Sequence, residues 1–158
     1  LREHGPESLR RALLPHGVLF VNGGNTFYLL DLMRRRGLCE TIVGLVREGM
    51  TYAGASAGSI LAGPDIALAG FGPSGDANDV GIRETSGLGL VPFAVWPHLT
   101  DSERASVAAG AATVGYPVVA INDRQAVAVE GSRTFVVGPG DTMELNGFSH
   151  LKSQKFPD

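Results

Sequence analysis

The chain has 158 residues, of which 44% are hydrophobic and 18% are charged, as in ordinary globular domains. Its formal net charge of -3 gives no electrostatic reason to expect nucleic acid or an anionic membrane as a partner. No apolar run approaches the roughly 20 residues of a membrane span, and no signal peptide is recognisable. We therefore predict one domain over residues 1–158, located in the cytoplasm.

Cysteine and histidine usage argues against a disulfide framework or a metal centre. Cys39 is the only cysteine, and its apolar neighbours indicate a buried thiol on a helix face. The four histidines are scattered, without an HExxH motif or paired-cysteine spacing. The sequence therefore predicts neither an intrachain disulfide nor a metal ion.

The first half of the chain alternates between helix-like and strand-like segments. Residues 1–14 have the pattern of a short amphipathic helix, and the continuous apolar run at 17–21 is typical of a strand buried in a parallel sheet. A glycine turn at 22–26 leads into two predicted helices, which Gly37 separates. This succession implies a right-handed parallel crossover into a further strand at 50–53.

The second half combines a long polar loop with further strands. Residues 70–89 are rich in Gly, Asp, Asn and Ser, so we predict a binding element or lid there, with an excursion of no function as the alternative. Residues 100–103 match the capping box Ser/Thr-x-x-Glu, which predicts a helix to about residue 113. Three apolar runs at hairpin spacing predict antiparallel strands at 117–121, 125–129 and 133–137. The predicted fold is α/β, a mostly parallel sheet flanked by helices with antiparallel strands near the C-terminus.

A GxSxG pentapeptide at residues 54–58 stands between the strand at 50–53 and a short helix. Its small residues allow a sharp strand-to-helix turn, a nucleophile elbow, which would push the hydroxyl of Ser56 out of the backbone. The alternative is a Gly/Ala-rich connection in which Ser56 only caps the helix. Ser56 is the candidate nucleophile.

A serine nucleophile needs a base and an acid, and both are available at strand ends. His98 follows an extended segment at 90–96, whereas His4, His16 and His150 lie outside the predicted strand ends. Asp123 follows the strand at 117–121, although Asn-Asp is also ordinary turn chemistry. The order Ser, His, Asp differs from that of α/β hydrolases and disfavours that fold. The amide of Gly24, at a helix start, is a candidate oxyanion donor.

Four stretches between about residues 17 and 137 resemble the peptidase E (aspartyl dipeptidase) family, whose relatives include cyanophycinases. They are VNGGNTFYLL at 21–30, YAGASAG at 52–58, Pro92-Phe93 and Pro97-His98. The resemblance implies a flavodoxin-like α/β sandwich of the class I glutamine amidotransferase type, which needs no metal or organic cofactor. It also implies Ser56 as nucleophile, His98 as general base, Asp123 as third residue, and an oxyanion hole from the amides of Gly24 and Ala57.

Substrate recognition is expected to differ from that of typical members. Asn25 and Thr26, in the first motif, are predicted to contact the substrate. The arginine that recognises a substrate aspartate has no counterpart at its usual place, and Arg104, one turn later, is the candidate replacement. Family members begin with additional strands, so the chain is expected to be a fragment or a shortened form. In a genuine short form one sheet edge would be uncovered, which predicts a homodimer.

Three functional hypotheses follow. The leading one is a serine peptidase that hydrolyses dipeptides or short peptides through an acyl-enzyme, with a preference for amino-terminal aspartate as one version. The second is a cyanophycinase-like hydrolase of β-Asp-Arg bonds. The third is a catalytically silent binding or assembly module on the same fold.

Overall fold

The structure, a computed structural model, describes residues 3–148. The α-helices of this part are α1 (Pro6–Leu13), α2 (Thr26–Arg35), α3 (Leu38–Arg47), α4 (Ala57–Leu61) and α5 (Arg104–Ala111). The strands are β1 (Val18–Val21), β2 (Thr51–Gly54), β3 (Ala94–Trp96), β4 (Val118–Ala120), β5 (Ala126–Glu130), β6 (Arg133–Val137) and β7 (Met143–Leu145). Single 3-10 turns lie at Ala67–Gly70 and Asp101–Glu103.

The strands form three small sheets. β1 pairs in parallel with β2, and β3 pairs in parallel with β4. β7 adds to the other side of β4 in the antiparallel direction, and β5 and β6 form an antiparallel hairpin. A mixed α/β architecture with parallel and antiparallel sheets is confirmed.

The pairing of β4 corrects one prediction. The turn residues between 121 and 125 suggested a hairpin, but β4 pairs with β3 and β7 instead of β5. The turn residues make other contacts instead. The amide of Asn122 donates to the side chain of Gln125, and these two side chains donate to the carbonyls of Pro139 and Gly140, respectively. These contacts direct β5 into a separate sheet.

The predicted capping box at residues 100–103 is also wrong. The side chain of Thr100 makes no cap bond and pairs with the hydroxyl of Ser102 instead. The carboxylate of Glu103 accepts a hydrogen bond from Ser74 Oγ at 2.8 Å, so it is directed towards the polar loop. The segment begins as a 3-10 turn and becomes helical only at Arg104.

The largest core cluster lies among α2, α3 and α4. Burial of each fully buried side chain of this cluster stabilises the fold by about 1.5–3 kcal/mol. These side chains are Leu30, Met33, Leu38, Ile42, Leu61 and Ile66. Cys39 packs against this cluster, and desolvation raises the pKa of its thiol. α2 ends at Arg35 before Gly37, whose φ of 64° is left-handed, as the sequence predicts.

The polar loop at 70–89 is tied to α2 at both of its ends. Asp76 Oδ2 accepts a hydrogen bond from the amide of Thr26 at 2.8 Å, and Asn25 Nδ2 donates to the carbonyl of Ala77 at 2.8 Å. Arg34 donates to the carbonyl of Ser86 at 2.8 Å. The first two bonds hold the loop against the start of α2, and the Arg34 bond holds it against the last turn of α2.

No helix within residues 3–148 is long and apolar enough to cross a bilayer.

Candidate active site

The turn between β2 and α4 carries Ser56 in a strained conformation, with φ 52° and ψ -117°. Ser56 occupies the N-cap position but makes no side-chain cap bond, so its hydroxyl is not used to cap α4. The hydroxyl of Tyr52 donates to the carbonyl of Gly58 at 2.7 Å and fixes the turn from β2. Burial of Tyr52 raises the pKa of its hydroxyl, which therefore stays protonated as a donor at neutral pH.

His98 is presented by a short loop after β3. The amide of Ile121 donates to the carbonyl of Trp96 at 2.9 Å, and the amide of Leu99 donates to the carbonyl of Ile121 at 2.9 Å. The two bonds bracket Pro97 and His98, and His98 takes a left-handed φ of 62°. The backbone of Ile121, the residue after β4, thus fixes both ends of the loop that carries the imidazole.

Asp123 lies in the turn that follows β4. The amide of Arg124 donates to Asn122 Oδ1 at 2.8 Å, and the amide of Gln125 donates to the carbonyl of Asn122 at 3.1 Å. This Asx-type turn fixes the backbone on both sides of Asp123. The turn role of Asn122 agrees with the Asn-Asp turn chemistry that the sequence indicated.

The three candidate catalytic side chains lie in a hydrogen-bonded row. His98 Nε2 is 3.0 Å from Ser56 Oγ, and His98 Nδ1 is 2.5 Å from Asp123 Oδ1. The side chains of His98 and Asp123 are 60% and 75% exposed. Because water screens such a pair, it contributes little to fold stability, and its main effect is to orient the ring.

Two backbone amides near Ser56 have no acceptor among the described residues. Ala57 is the first residue of α4, and its N–H precedes the first helical hydrogen bonds. Gly24 has a φ of 133°, which L side chains rarely adopt, and its N–H is likewise without an acceptor. A β-carbon on the neighbouring Gly23 would lie 3.1 Å from Ser56 Cβ, so the β1 turn runs directly beside the serine.

Ser56 and His98 line two cavities. The first, of about 440 Å³, has Asp76 and Glu103 in its wall, and we call it the acidic cavity. The second, of about 820 Å³, is lined by Asp123 and mostly by apolar side chains, and we call it the apolar cavity. Its apolar side chains include those of Tyr52, Leu90, Val91, Phe93, Ile121 and Val127. Ser56 therefore borders both cavities.

The three predicted substrate-binding residues, Asn25, Thr26 and Arg104, differ in whether they line a cavity. Asn25 Oδ1 accepts from the amide of Tyr28 at 2.9 Å, so this side chain is occupied within the fold. Thr26 lines the acidic cavity. Arg104 pairs with Asp101 at 3.1 Å and with Asp141 at 3.8 Å, and it lines neither cavity. The structure therefore brings only Thr26 of the three close to the serine.

Asp76 and Glu103 were not identified as site residues from the sequence. Asp76 contacts a residue 50 positions away, and no local pattern marks such a pairing. Within residues 3–148, no group of three His, Cys, Asp or Glu side chains is arranged to hold a metal ion. His150 lies outside the described residues.

The sequence is similar to bacterial peptidases. The profile of peptidase family S51 matches residues 1–137. Peptidase E of Streptomyces coelicolor is 35% identical over 137 residues, which cover 78% of this chain and 53% of that protein. An uncharacterized peptidase of Pasteurella multocida is 30% identical over 129 residues, which cover 80% of this chain and 62% of that protein. The chain thus spans about half to three fifths of the length of these relatives.

Two solved structures share the fold. The crystal structure of a Listeria monocytogenes protein assigned to peptidase E has a TM-score of 0.75 at 22% identity and covers 88% of this chain and 68% of that chain. A peptidase from an acI-B1 actinobacterium has a TM-score of 0.62 at 19% identity and covers 92% of this chain and 59% of that chain. At such identities the likeness concerns the fold alone, whereas the profile match covers most of the sequence. The chain belongs to peptidase family S51.

Proposed function

We propose that the chain is a serine peptidase that hydrolyses dipeptides or short peptides through an acyl-enzyme, with Ser56 as nucleophile. The observation that carries the proposal is the row of bonds from Ser56 Oγ to His98 Nε2, at 3.0 Å, and from His98 Nδ1 to Asp123, at 2.5 Å. This is the arrangement that a serine hydroxyl needs in order to lose its proton. Membership of family S51 supports the same reaction class.

The reaction follows from the positions of these atoms. His98 Nε2 takes the proton of Ser56 Oγ as that oxygen attacks the scissile carbonyl carbon. The amides of Gly24 and Ala57 donate to the oxyanion of the tetrahedral intermediate. His98 then gives the proton to the departing amine, the C–N bond breaks, and the acyl group stays on Ser56. Water that loses a proton to His98 attacks the ester, and this proton returns to Ser56 Oγ as the acid leaves.

Several finer features belong to the same proposal. They are the nucleophile elbow at Ser56, the sandwich of the class I glutamine amidotransferase type, a cytoplasmic location and a homodimer. Val18 and Phe20, on β1, are 56% and 62% exposed, which supports an apolar contact surface there. A preference for amino-terminal aspartate lacks support, because no arginine or lysine of the described residues lines either cavity.

A serine-reactive fluorophosphonate tests the nucleophile directly. We expect one equivalent of label, which mass spectrometry locates on the peptide that contains Ser56. Dipeptides and a β-Asp-Arg dipeptide, offered side by side, distinguish a general dipeptidase from a cyanophycinase-like hydrolase. A protein that neither labels nor cleaves any of these compounds would be the catalytically silent module instead.

Asp123→Asn is expected to lower kcat by about 10²–10⁴, because the amide can donate to Nδ1 and hold the wrong imidazole tautomer. The carboxylate is 75% exposed, so the melting temperature should stay within about 1 °C of the wild-type value. Steady-state kinetics and a thermal melt measure the two effects. Asp141→Asn, at another exposed carboxylate, is the matched control. An unchanged kcat in Asp123→Asn would remove Asp123 from the mechanism.

A further inference from the structure

The backbone carbonyl of the candidate nucleophile is held by a side chain that the proposed reaction does not use. Ser59, on the first turn of α4, donates from Oγ to the carbonyl oxygen of Ser56 at 2.6 Å. The amides of Ser59 and Ile60 donate to the same oxygen at 2.9 Å and 3.1 Å. Serine side chains often bond a carbonyl one turn back in helices, but here the bonded carbonyl belongs to the nucleophile.

Ser56 needs such a restraint because its backbone is strained. Its φ of 52° and ψ of -117° lie outside the regions that residues with side chains normally adopt. The left-handed helical region has nearly the same φ, at about +57°, with ψ at about +47°. A rotation of roughly 160° about the Cα–C bond of Ser56 would therefore relieve the strain and would break the hydrogen bonds to its carbonyl.

The same rotation would displace a proposed oxyanion donor. A trans peptide group is planar, so the carbonyl of Ser56 and the N–H of Ala57 point in opposite directions and move together. The Ala57 N–H has no acceptor within residues 3–148, and it keeps its direction only while the Ser56 carbonyl stays bound to α4. We propose that Ser59 is a positioning residue, whose hydroxyl fixes this peptide group and thereby aims the Ala57 amide at the oxyanion. The inference rests on the proposed function, because it concerns the oxyanion hole of that reaction.

Ser59→Ala is expected to lower kcat for a cleaved dipeptide by about 5- to 30-fold and to leave KM within about twofold of the wild-type value. Loss of a whole oxyanion donor costs about 10²–10³ in kcat, whereas here the peptide group keeps the bonds from the amides of Ser59 and Ile60. The donor acts mainly on the transition state, so substrate binding should change little. Steady-state kinetics, at a temperature where thermal melts show every variant folded, measure both constants.

Two further variants separate this role from a general effect on helix stability. Ser59→Thr keeps a hydroxyl that can reach the same carbonyl, so kcat should return to within about threefold of the wild-type value. Thr113→Val removes an equivalent bond, from Thr113 Oγ1 to the carbonyl of Gly110 at 2.7 Å, at a position that lines neither cavity. It should leave kcat unchanged even if the melting temperature falls. A loss in Ser59→Ala that Ser59→Thr does not reduce would overturn the inference, because packing and not the hydroxyl would then be responsible.

Labelling distinguishes failure of this inference from failure of the proposed function. The phosphoryl oxygen of a fluorophosphonate occupies the oxyanion hole during attack by Ser56, so Ser59→Ala should slow labelling by about the same factor as kcat. Equal labelling rates and equal kcat in wild-type protein and Ser59→Ala would reject the role of Ser59 and leave Ser56 as the nucleophile. A rise in KM alone would reject it as well. A wild-type protein that is neither labelled nor active would reject both proposals.

Discussion

Replacing Ser56 by alanine is expected to lower kcat for a cleaved peptide by on the order of 10⁶, because the acyl-enzyme cannot form without that oxygen. His98→Ala should cause a loss of similar size. The double variant should be no slower than either single variant, since the hydroxyl and the imidazole act as one unit across 3.0 Å. Hydrolysis of one dipeptide by the three variants, followed over hours with sensitive detection of the released amino acid, measures these losses.

Matched substitutions separate chemistry from folding. Ser132→Ala and His16→Ala remove the same groups at exposed positions and should leave kcat unchanged. The bond between Ser56 and His98 is solvent-exposed, so Ser56→Ala should unfold at nearly the wild-type temperature. If Ser56→Ala kept more than about 1% of the wild-type rate, Ser56 would not be the nucleophile.

The parts of the fold that were predictable are those encoded by local sequence. The strand at β1, the glycine turn after it and the two following helices each depend on residues within a few positions. The predicted burial of β1 is wrong, because Val18 and Phe20 are exposed and only Val21 is buried. Ser56, His98 and Asp123 were expected at the carboxyl ends of strands, and they follow β2, β3 and β4. The parallel pairing of β3 with β4 accounts for the proximity of His98 and Asp123, whereas Ser56 follows a strand of another sheet, so its approach depends on how the sheets pack.

Long-range contacts account for what the sequence did not reveal. β7 has only three residues, and nothing in Met143, Glu144 and Leu145 marks a strand until β4 supplies a partner. The predicted capping box does not form, because the carboxylate of Glu103 accepts a hydrogen bond from Ser74, 29 residues away, and does not turn back to the helix start. Asp76 is held beside the candidate site by hydrogen bonds to the amide of Thr26 and to the carbonyl of Ala69, neither of which is its near neighbour in sequence. Such pairings depend on the whole fold.

Gly58 lies where α4 packs directly against the end of β1, and the candidate site depends on this close contact. A β-carbon at this position would lie 2.0 Å from the carbonyl oxygen of Val21, at the end of β1. The contact is with backbone, so no side-chain rotation relieves it. A β-carbon at Gly54 would likewise lie 2.4 Å from the carbonyl oxygen of Gly58. The glycines of the GxSxG turn are therefore required by space, because neither has a positive φ.

Gly58→Ala is accordingly expected to reduce the free energy of unfolding by at least about 3 kcal/mol, because α4 must move away from β1. Folded molecules that remain should lose activity, since the movement displaces Ser56 from His98. Urea denaturation measures the first effect and dipeptide hydrolysis the second. The control is Gly44→Ala, because Gly44 lies inside α3 and a β-carbon there meets nothing within 4 Å. That substitution should raise the free energy of unfolding by about 0.5–1 kcal/mol, because alanine is favoured over glycine within a helix. A loss below about 1 kcal/mol in Gly58→Ala would mean that α4 tolerates a wider separation from β1 than the structure implies.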